Sequence, residues 1–419
     1  MARETRTHGI TPAWLTVRTT IHTDDDQTAH GPGALVREWR SGGQRHFEYA
    51  LSTPSTPMFA VTSARYAVAR GQYRNVTIEL WHHAAHGAQA QRFIAIAARS
   101  FAVLEPHFGA YPQRQFRMIE IPSGWRFGAY ALTGSIYLPE GRGMLADARE
   151  EDVDLMLRRI GHEVAHQWWG HTVDPLMTEG RLLVVESLAK FSEQLIVDAA
   201  QNEAVRTTML SFDHDRYLQG RANNAGLEPT LLSSWDEAFL YYGKGALAFH
   251  ALRDVLGDTL VLRVLREFLI ADGGPSGAAS ARQLYQRLRA VAPDSAARAV
   301  VDEWFTERIV YDVAIDSAEA QKVGSQTHVV ASVTAQRFAT DSAGEHTTPA
   351  TGRRIAVGIF GGQRERPVLR AIVHAVLRNG VAQIDTTLSG DVFAIEADPQ
   401  LRLIDRDRSN NRKRFGATP

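Results

Sequence analysis

The chain has 419 residues, 44% hydrophobic and 22% charged, with a formal net charge of −1; this is globular composition with room for more than one domain, and it sets up no global field toward nucleic acid or acidic lipid. It contains no cysteine, which excludes disulfides, thiolate metal sites and a cysteine nucleophile, so any transition metal must rest on His, Asp or Glu. The first thirty residues are mixed polar and charged, and no apolar run approaches the roughly eighteen residues of a membrane span, so the sequence reads as a soluble chain without a leader.

From Thr16 to about His83 short runs alternate, most clearly in Val76-Thr77-Ile78-Glu79-Leu80, where every second residue is apolar as a half-buried strand requires. The period then changes. Phe93, Ala97, Phe101, Leu104 and Phe108 are spaced by four, four, three and four, which is one face of a helix, and Arg117 to Ile121 reads as a strand. From Glu150 to about Arg308 helical spacing dominates, as in Val153, Leu157, Ile160, Val164 and again in Val184, Leu188, Phe191, Leu195. After Tyr311 the period returns to two, predicting strands at His328 to Val333, Arg354 to Phe360 and Val392 to Ile395, with a hairpin turn at Asn379-Gly380. The Ser-, Thr-, Gly- and Ala-rich stretch Ala339 to Gly352 reads as a mobile loop, and the Arg-rich end from Arg406 to Arg414 as a solvated tail. The expected fold is α+β and multidomain. A β-rich N-terminal unit covers residues 1–83, a mostly helical domain 84–316, and a C-terminal β-sandwich 317–419.

The chemistry concentrates in Gly161-His162-Glu163-Val164-Ala165-His166, an H-E-x-x-H motif on a helix-periodic segment. Residues four apart on a helix are displaced by only about 40°, so both imidazoles reach one ion, while Glu163 lies about 100° round from His162, beside it. A hydrolytic zinc takes three protein ligands and leaves one position open. The following helical segment offers Glu186 and Glu193, about 20° off eclipsed, and Glu179 stands in the connection as a weaker candidate. His171 turns about 140° away from the ligand face and reads as a structural or cleft-wall residue.

His162 through Gly170, with Gln167-Trp168-Trp169 between, resembles the zinc helix of the aminopeptidase N family of gluzincin metallopeptidases, and Glu186-Ser187-Leu188-Ala189-Lys190-Phe191-Ser192-Glu193 resembles its third-ligand helix. The resemblance implies a thermolysin-like catalytic domain, one zinc ion held by His162, His166 and Glu186, Glu163 as catalytic base, and a peptide substrate. The family usually places eighteen residues between the second His and the ligand Glu, whereas nineteen separate His166 from Glu186 and Val185 stands at the usual place. Valine cannot bind zinc, so Glu186 takes the role and Glu193 is expected to orient a ligand histidine. That insertion resembles the branch fused to bacterial ABC-transporter permeases, which implies a membrane portion outside this chain and an extracytoplasmic location; a free-standing chain would be cytoplasmic. Tyr242-Gly243-Lys244-Gly245 is similar to the family's Y-x-K-G, which makes the Tyr242 hydroxyl a donor to the developing oxyanion. The family's G-A-M-E-N strand, whose Glu binds the substrate's free amine, is answered here by Gly128-Ala129-Tyr130-Ala131-Leu132, with Ala131 in place of the Glu. Glu140, just beyond, is a candidate replacement carboxylate.

A rival reading is a non-catalytic binding module of an export complex, with zinc kept for folding. Glu163 argues against it, since a structural zinc site fills all four positions with protein ligands and has no use for an adjacent base. A zinc hydrolase acting on a non-peptide bond is a third reading.

Overall fold

The computed structural model describes residues 13–145, 154–201, 203–363 and 367–415, so Val153, expected at the start of the motif helix, lies outside the described residues. The chain divides into two compact units: Met1–Met209 with Leu232–Glu237 and Gly257–Val291, and Leu210–Leu231 with Ala238–Leu256 and Ala292–Pro419. Among the described residues no helix is long and apolar enough to cross a membrane.

In the first unit, β1 (Arg18–Asp24), β4 (Gln44–Ala50) and β3 (Ala34–Ser41) form an antiparallel sheet in that order, and β2 (Thr28–His30) pairs with β5 (Thr62–Ala64). A five-stranded sheet follows, ordered β6 (Ala67–Tyr73), β7 (Val76–His82), β8 (Gln115–Ile121), β10 (Ser135–Pro139), β9 (Tyr130–Leu132). The β7–β8 and β8–β10 pairs are parallel, and the two outer pairs are antiparallel. A parallel pair cannot be joined by a tight turn, and here the crossover from β7 to β8 is α1 (Ala90–Phe108). Its predicted face, Phe93, Ala97, Phe101, Leu104 and Phe108, is buried. Residues 115–120 of β8 are all buried, as befits a strand covered on both faces.

Helices then take over: α2 (Leu155–Ala165), α3 (Leu188–Ala200), α4 (Glu203–Asn223), α5 (Gly245–Leu256), α6 (Asp258–Asp272), α7 (Ala281–Ala290) and α8 (Ser295–Thr306). Asp154 caps α2 by accepting a hydrogen bond from the Leu157 N–H at 3.0 Å, the contact expected of an N-cap carboxylate.

The second unit carries two four-stranded sheets. In one, β12 (Gln326–Asp341) pairs with β11 (Ile309–Val323) on one edge and with β13 (Gly344–Pro349) and β16 (Val381–Ser389) on the other; the second runs β15 (Pro367–Val376), β14 (Arg354–Gly362), β17 (Val392–Ala397), β18 (Arg412–Arg414). Val313, Val329, Val333, Val357, Ile359, Ile384 and Ile395 share one buried apolar core, as the period-two reading requires. Asn379 and Gly380 both have positive φ, 49° and 79°, and Arg378 and Val381 exchange backbone hydrogen bonds across them at 2.8 and 3.1 Å. The turn nevertheless leads from one sheet to the other, since β15 and β16 do not pair.

Two expectations are corrected here. The stretch Ala339 to Gly352 is not a loop: it holds the end of β12 and all of β13, paired from Gln336↔Pro349 to Asp341↔Gly344. Its small polar composition marks an exposed strand, and the Asp341 carboxylate closes the turn by accepting the Ala343 N–H at 2.7 Å. Likewise Arg412–Arg414 is not a free tail but an edge strand on β17. A run of exposed cations there is a device that keeps a sheet edge from pairing with other chains.

Candidate metal centre

Gly161 precedes the motif histidine where α2 meets α3. A Cβ at this position would lie 3.0 Å from Ile196 Cδ1, so glycine lets the two helices approach closely enough for side chains on one to reach the other. Leu157, Ile160 and Val164 on α2 and Leu188 and Phe191 on α3 are buried. Past the motif, Trp168 and Trp169 are both fully buried and anchor the helix end through their indole N–H groups, Trp168 to Gly109 O at 3.1 Å and Trp169 to Ser192 Oγ at 3.0 Å. Gly170, with φ of 114°, then turns the chain sharply.

On the other side of the site, Leu183–Ser187 forms a π-helical turn that runs into α3. A π turn absorbs one extra residue into an otherwise helical path. Glu186, and not Val185, faces the imidazoles from this turn. His162 Nε2 lies 3.3 Å from Glu186 Oε2, His166 Nε2 lies 3.5 Å from the same oxygen, and the two Nε2 atoms are 3.2 Å apart. The three atoms form a triangle with the edges expected of ligands around one tetrahedral ion with bonds of about 2.0–2.2 Å.

The tautomers point the same way. His166 Nδ1–H donates to the Trp169 carbonyl at 2.9 Å and His162 Nδ1 faces Glu193 Oε2 at 3.5 Å, so each ring turns a lone pair toward the other and toward a carboxylate. Glu186 Oε2 is buried and has no hydrogen-bond donor of its own. Three electron-pair donors converging in a buried place need a cation between them. The residues fit a divalent zinc ion by geometry and by donor type.

Burial alone would lower the basicity of His162, but Glu186 and Glu193 outweigh it and hold its pKa up to about 10, so a metal cation in the triangle takes the place of a proton on this ring, and the lone pair faces the carboxylate only once that proton has left. Burial alone would raise Glu186, yet the His166 and His162 rings hold it well below the usual carboxylate range. Glu193 is buried and would be raised by that, but it is pinned between Lys190 at 3.1 Å and Arg158 at 2.6 Å, which keep it ionised as a fixed partner for the His162 ring. Glu163 is buried, and burial raises its pKa against the opposing pull of His162 and His166. A carboxylate whose proton affinity is raised by burial is better suited to accepting and returning a proton.

The site has parts that the sequence reading did not single out. Gln167 clamps the β9–β10 turn to the motif: its Oε1 accepts the Gly134 N–H at 2.9 Å and its Nε2 donates to Leu132 O at 3.1 Å. β9 thereby lies along the site as the outer strand of the sheet. Tyr130, on β9, is exposed, and besides burial the negative charges of Glu186 and Glu163 raise its phenol pKa. Arg159 acts electrostatically on Glu163, and its side chain lies 3.1 Å from where a Cβ on Gly128 would stand. The neighbouring motif could have marked Gln167; nothing local marks Arg159 or Tyr130. His171 is buried, with Nδ1 3.3 Å from Thr133 Oγ1, and burial together with the His166 charge pushes its pKa down to about 3. It is a neutral wall residue.

Ala131 is buried on β9, opposite Ile136. Glu140 is taken up elsewhere, accepting from Ser123 Oγ at 2.9 Å and facing His86 Nε2 at 3.7 Å. Glu179 is exposed in the connection and is not among the converging ligand atoms. Tyr242 belongs to the second unit, in the π-helical turn Phe239–Lys244 that opens α5, with Tyr241 edge-on at 4.7 Å and the Arg216 guanidinium 5.3 Å from its ring centre. Lys244 is buried there and donates to Glu307 O at 2.6 Å.

Comparison with known proteins gives one family. The profile of the Peptidase family M1 domain matches residues 94–304, just over half of the chain. No curated protein matches the sequence. Among solved structures, the M1 zinc metallopeptidase of Deinococcus radiodurans is similar with a TM-score of 0.57 at 20% identity, over 71% of this chain and 65% of that one. A mutant of that enzyme bound to a Tyr-Ser-Ala substrate matches at TM-score 0.53 with the same identity and coverage. The chain thus spans about two thirds of the length of these structures.

Proposed function

The chain belongs to peptidase family M1, and from that premise we propose that it is a zinc-dependent peptidase that hydrolyses peptide bonds with Glu163 as the base. The observation that carries this reading is the buried carboxylate of Glu163, one residue from a ligand histidine, beside a triangle of His162, His166 and Glu186 donor atoms. A zinc ion held by that triangle would supply the Lewis acidity that makes the attacking water easier to deprotonate. Glu163 takes the proton of the attacking water and passes it to the leaving amine. Glu193 holds the His162 ring in the tautomer that faces the ion.

Tyr242 is the proposed hydrogen-bond donor to the oxyanion. A donor that engages chiefly in the transition state affects turnover more than binding. Tyr242→Phe is therefore expected to lower kcat by about 100- to 1000-fold with little change in KM; steady-state kinetics on one peptide checks this, and a loss confined to Tyr241→Phe would move the role to that neighbour.

The proposed specificity is aminopeptidase-like with a weakened demand for a free N-terminus, because Ala131 offers no carboxylate to a substrate amine. A charge-assisted hydrogen bond is worth about 1.5–3 kcal/mol, or roughly 10- to 150-fold in preference. N-acetylated peptides should be cleaved within about tenfold of the rate of their free-amine forms. Paired kinetics on acetylated and free versions of one peptide test this, and a strong free-amine preference would reject it. The nineteen-residue ligand interval further supports placement in the branch fused to ABC-transporter permeases, with a membrane portion outside this chain.

A further inference from the structure

The first unit holds a second cluster of metal-ligating side chains, at the carboxyl ends of its parallel strands. β7, β8 and β10 run side by side in one direction, so the residues that end them converge although they are far apart in sequence. Such strand ends are the usual place for ligands in open sheets with parallel strands. His86 lies in the short helical turn Ala84–Gln89 just after β7, Glu120 is the penultimate residue of β8, and Glu140 directly follows β10. All three line an open cleft of about 740 Å³ together with His83 and Tyr66.

Glu120 is buried and both its oxygens are engaged: Oε2 accepts the His83 N–H at 2.7 Å, and Oε1 lies 2.5 Å from His86 Nδ1. The His86 Nδ1–H donates to it, which leaves a lone pair on Nε2. That nitrogen faces Glu140 Oε1 at 3.7 Å, while Ser123 Oγ holds the other Glu140 oxygen. At 3.7 Å no hydrogen bond joins the two atoms. They are slightly farther apart than the 3.2–3.5 Å between the ligand atoms at His162, His166 and Glu186, and two donors on one ion with bonds of about 2.0–2.2 Å stand at this order of separation. A carboxylate that fixes one ring nitrogen while the other faces an ion is a recurrent arrangement at metal centres. The His83 ring lies 4.9 Å from that of His86 between centres, with its Nδ1 accepting the Ala85 N–H at 3.3 Å. His86 also lies outside residues 94–304, the part matched by the family profile.

We propose that His86 and Glu140, oriented by Glu120 and Ser123, bind a second divalent transition-metal ion, with the cleft filling the remaining positions. Two firm protein donors instead of three make this the weaker of the two sites. The mixed imidazole and carboxylate set suits zinc or cobalt rather than calcium or magnesium.

The test uses the full chain stripped with a chelator, then dialysed against graded Zn2+ and read by elemental analysis. The wild type should take up a second equivalent at free zinc at least tenfold above that which fills the first. His86→Gln and Glu140→Gln should each lose the second equivalent and keep the first. The double variant His162→Ala/His166→Ala should retain one equivalent, which His86→Gln then removes, so this outcome stands apart from failure of the catalytic assignment. Because Glu140 is partly exposed, its variant preserves the fold if the His86 variant does not. Saturation of the wild type at one equivalent, or a second equivalent that survives both single variants, would overturn the proposal.

Discussion

Glu163→Gln is expected to keep its zinc and lose nearly all hydrolysis, with kcat falling by about 100- to 10,000-fold, the range attributed to a positioned general base. The amide has the shape of the carboxylate but cannot accept a proton from water. Glu163 is buried beside His162 and His166 and contributes no atom to the triangle of ligand atoms, so the substitution removes a charge without removing a ligand. Parallel measurement of turnover on a peptide and of zinc content separates the two roles. Unchanged turnover would place the base elsewhere, and loss of zinc together with activity would make Glu163 a ligand or a structural neighbour rather than the base.

Glu186→Ala should weaken zinc binding by more than about 100-fold, beyond the 10- to 100-fold typical of lost supporting contacts around a metal, whereas Glu179→Ala should leave it unchanged. Removing Glu186 leaves two imidazoles whose Nε2 atoms are 3.2 Å apart with no negative charge between them, and an ion held by two neutral donors is readily released. Glu179 is exposed and outside the converging set. Competition with a chromophoric chelator gives both affinities. The reverse ranking would show that the extra residue before α3 has been assigned to the wrong turn.

How far the site was legible follows from how local each part is. His162 and His166 are four residues apart on one helix, and the helical repeat alone puts them on one face. The alternation from His328 to Val333 announced β12 for the same reason: neighbours along the chain set which side is buried. The edge strands at Gly344–Pro349 and Arg412–Arg414 were read as a loop and a tail because their side chains are exposed on the pattern that composition measures. Their membership in a sheet comes from backbone pairing, to which side-chain polarity is blind.

The third ligand shows the boundary between the two kinds of information. Periodicity alone could not rank Glu186 against Glu193, which share a helical flank, and it was the resemblance to the family's ligand spacing that named Glu186. Their difference is tertiary. The π-helical turn at Leu183–Ser187 and the close α2–α3 approach at Gly161 bring Glu186 to both Nε2 atoms, and leave Glu193 behind His162 between Arg158 and Lys190. The same holds for Gln167 across the β9–β10 turn and for His86, Glu120 and Glu140, gathered from three strand ends by a parallel order that no local pattern encodes. By itself the sequence determined the secondary-structure periods, the two motif imidazoles on one helix face with Glu163 beside them, and the absence of any cysteine ligand, because each depends on residue type and short spacing. Only the tertiary structure decided which strand lies along the site and which distant side chains share a cleft, because those depend on strand order across long separations.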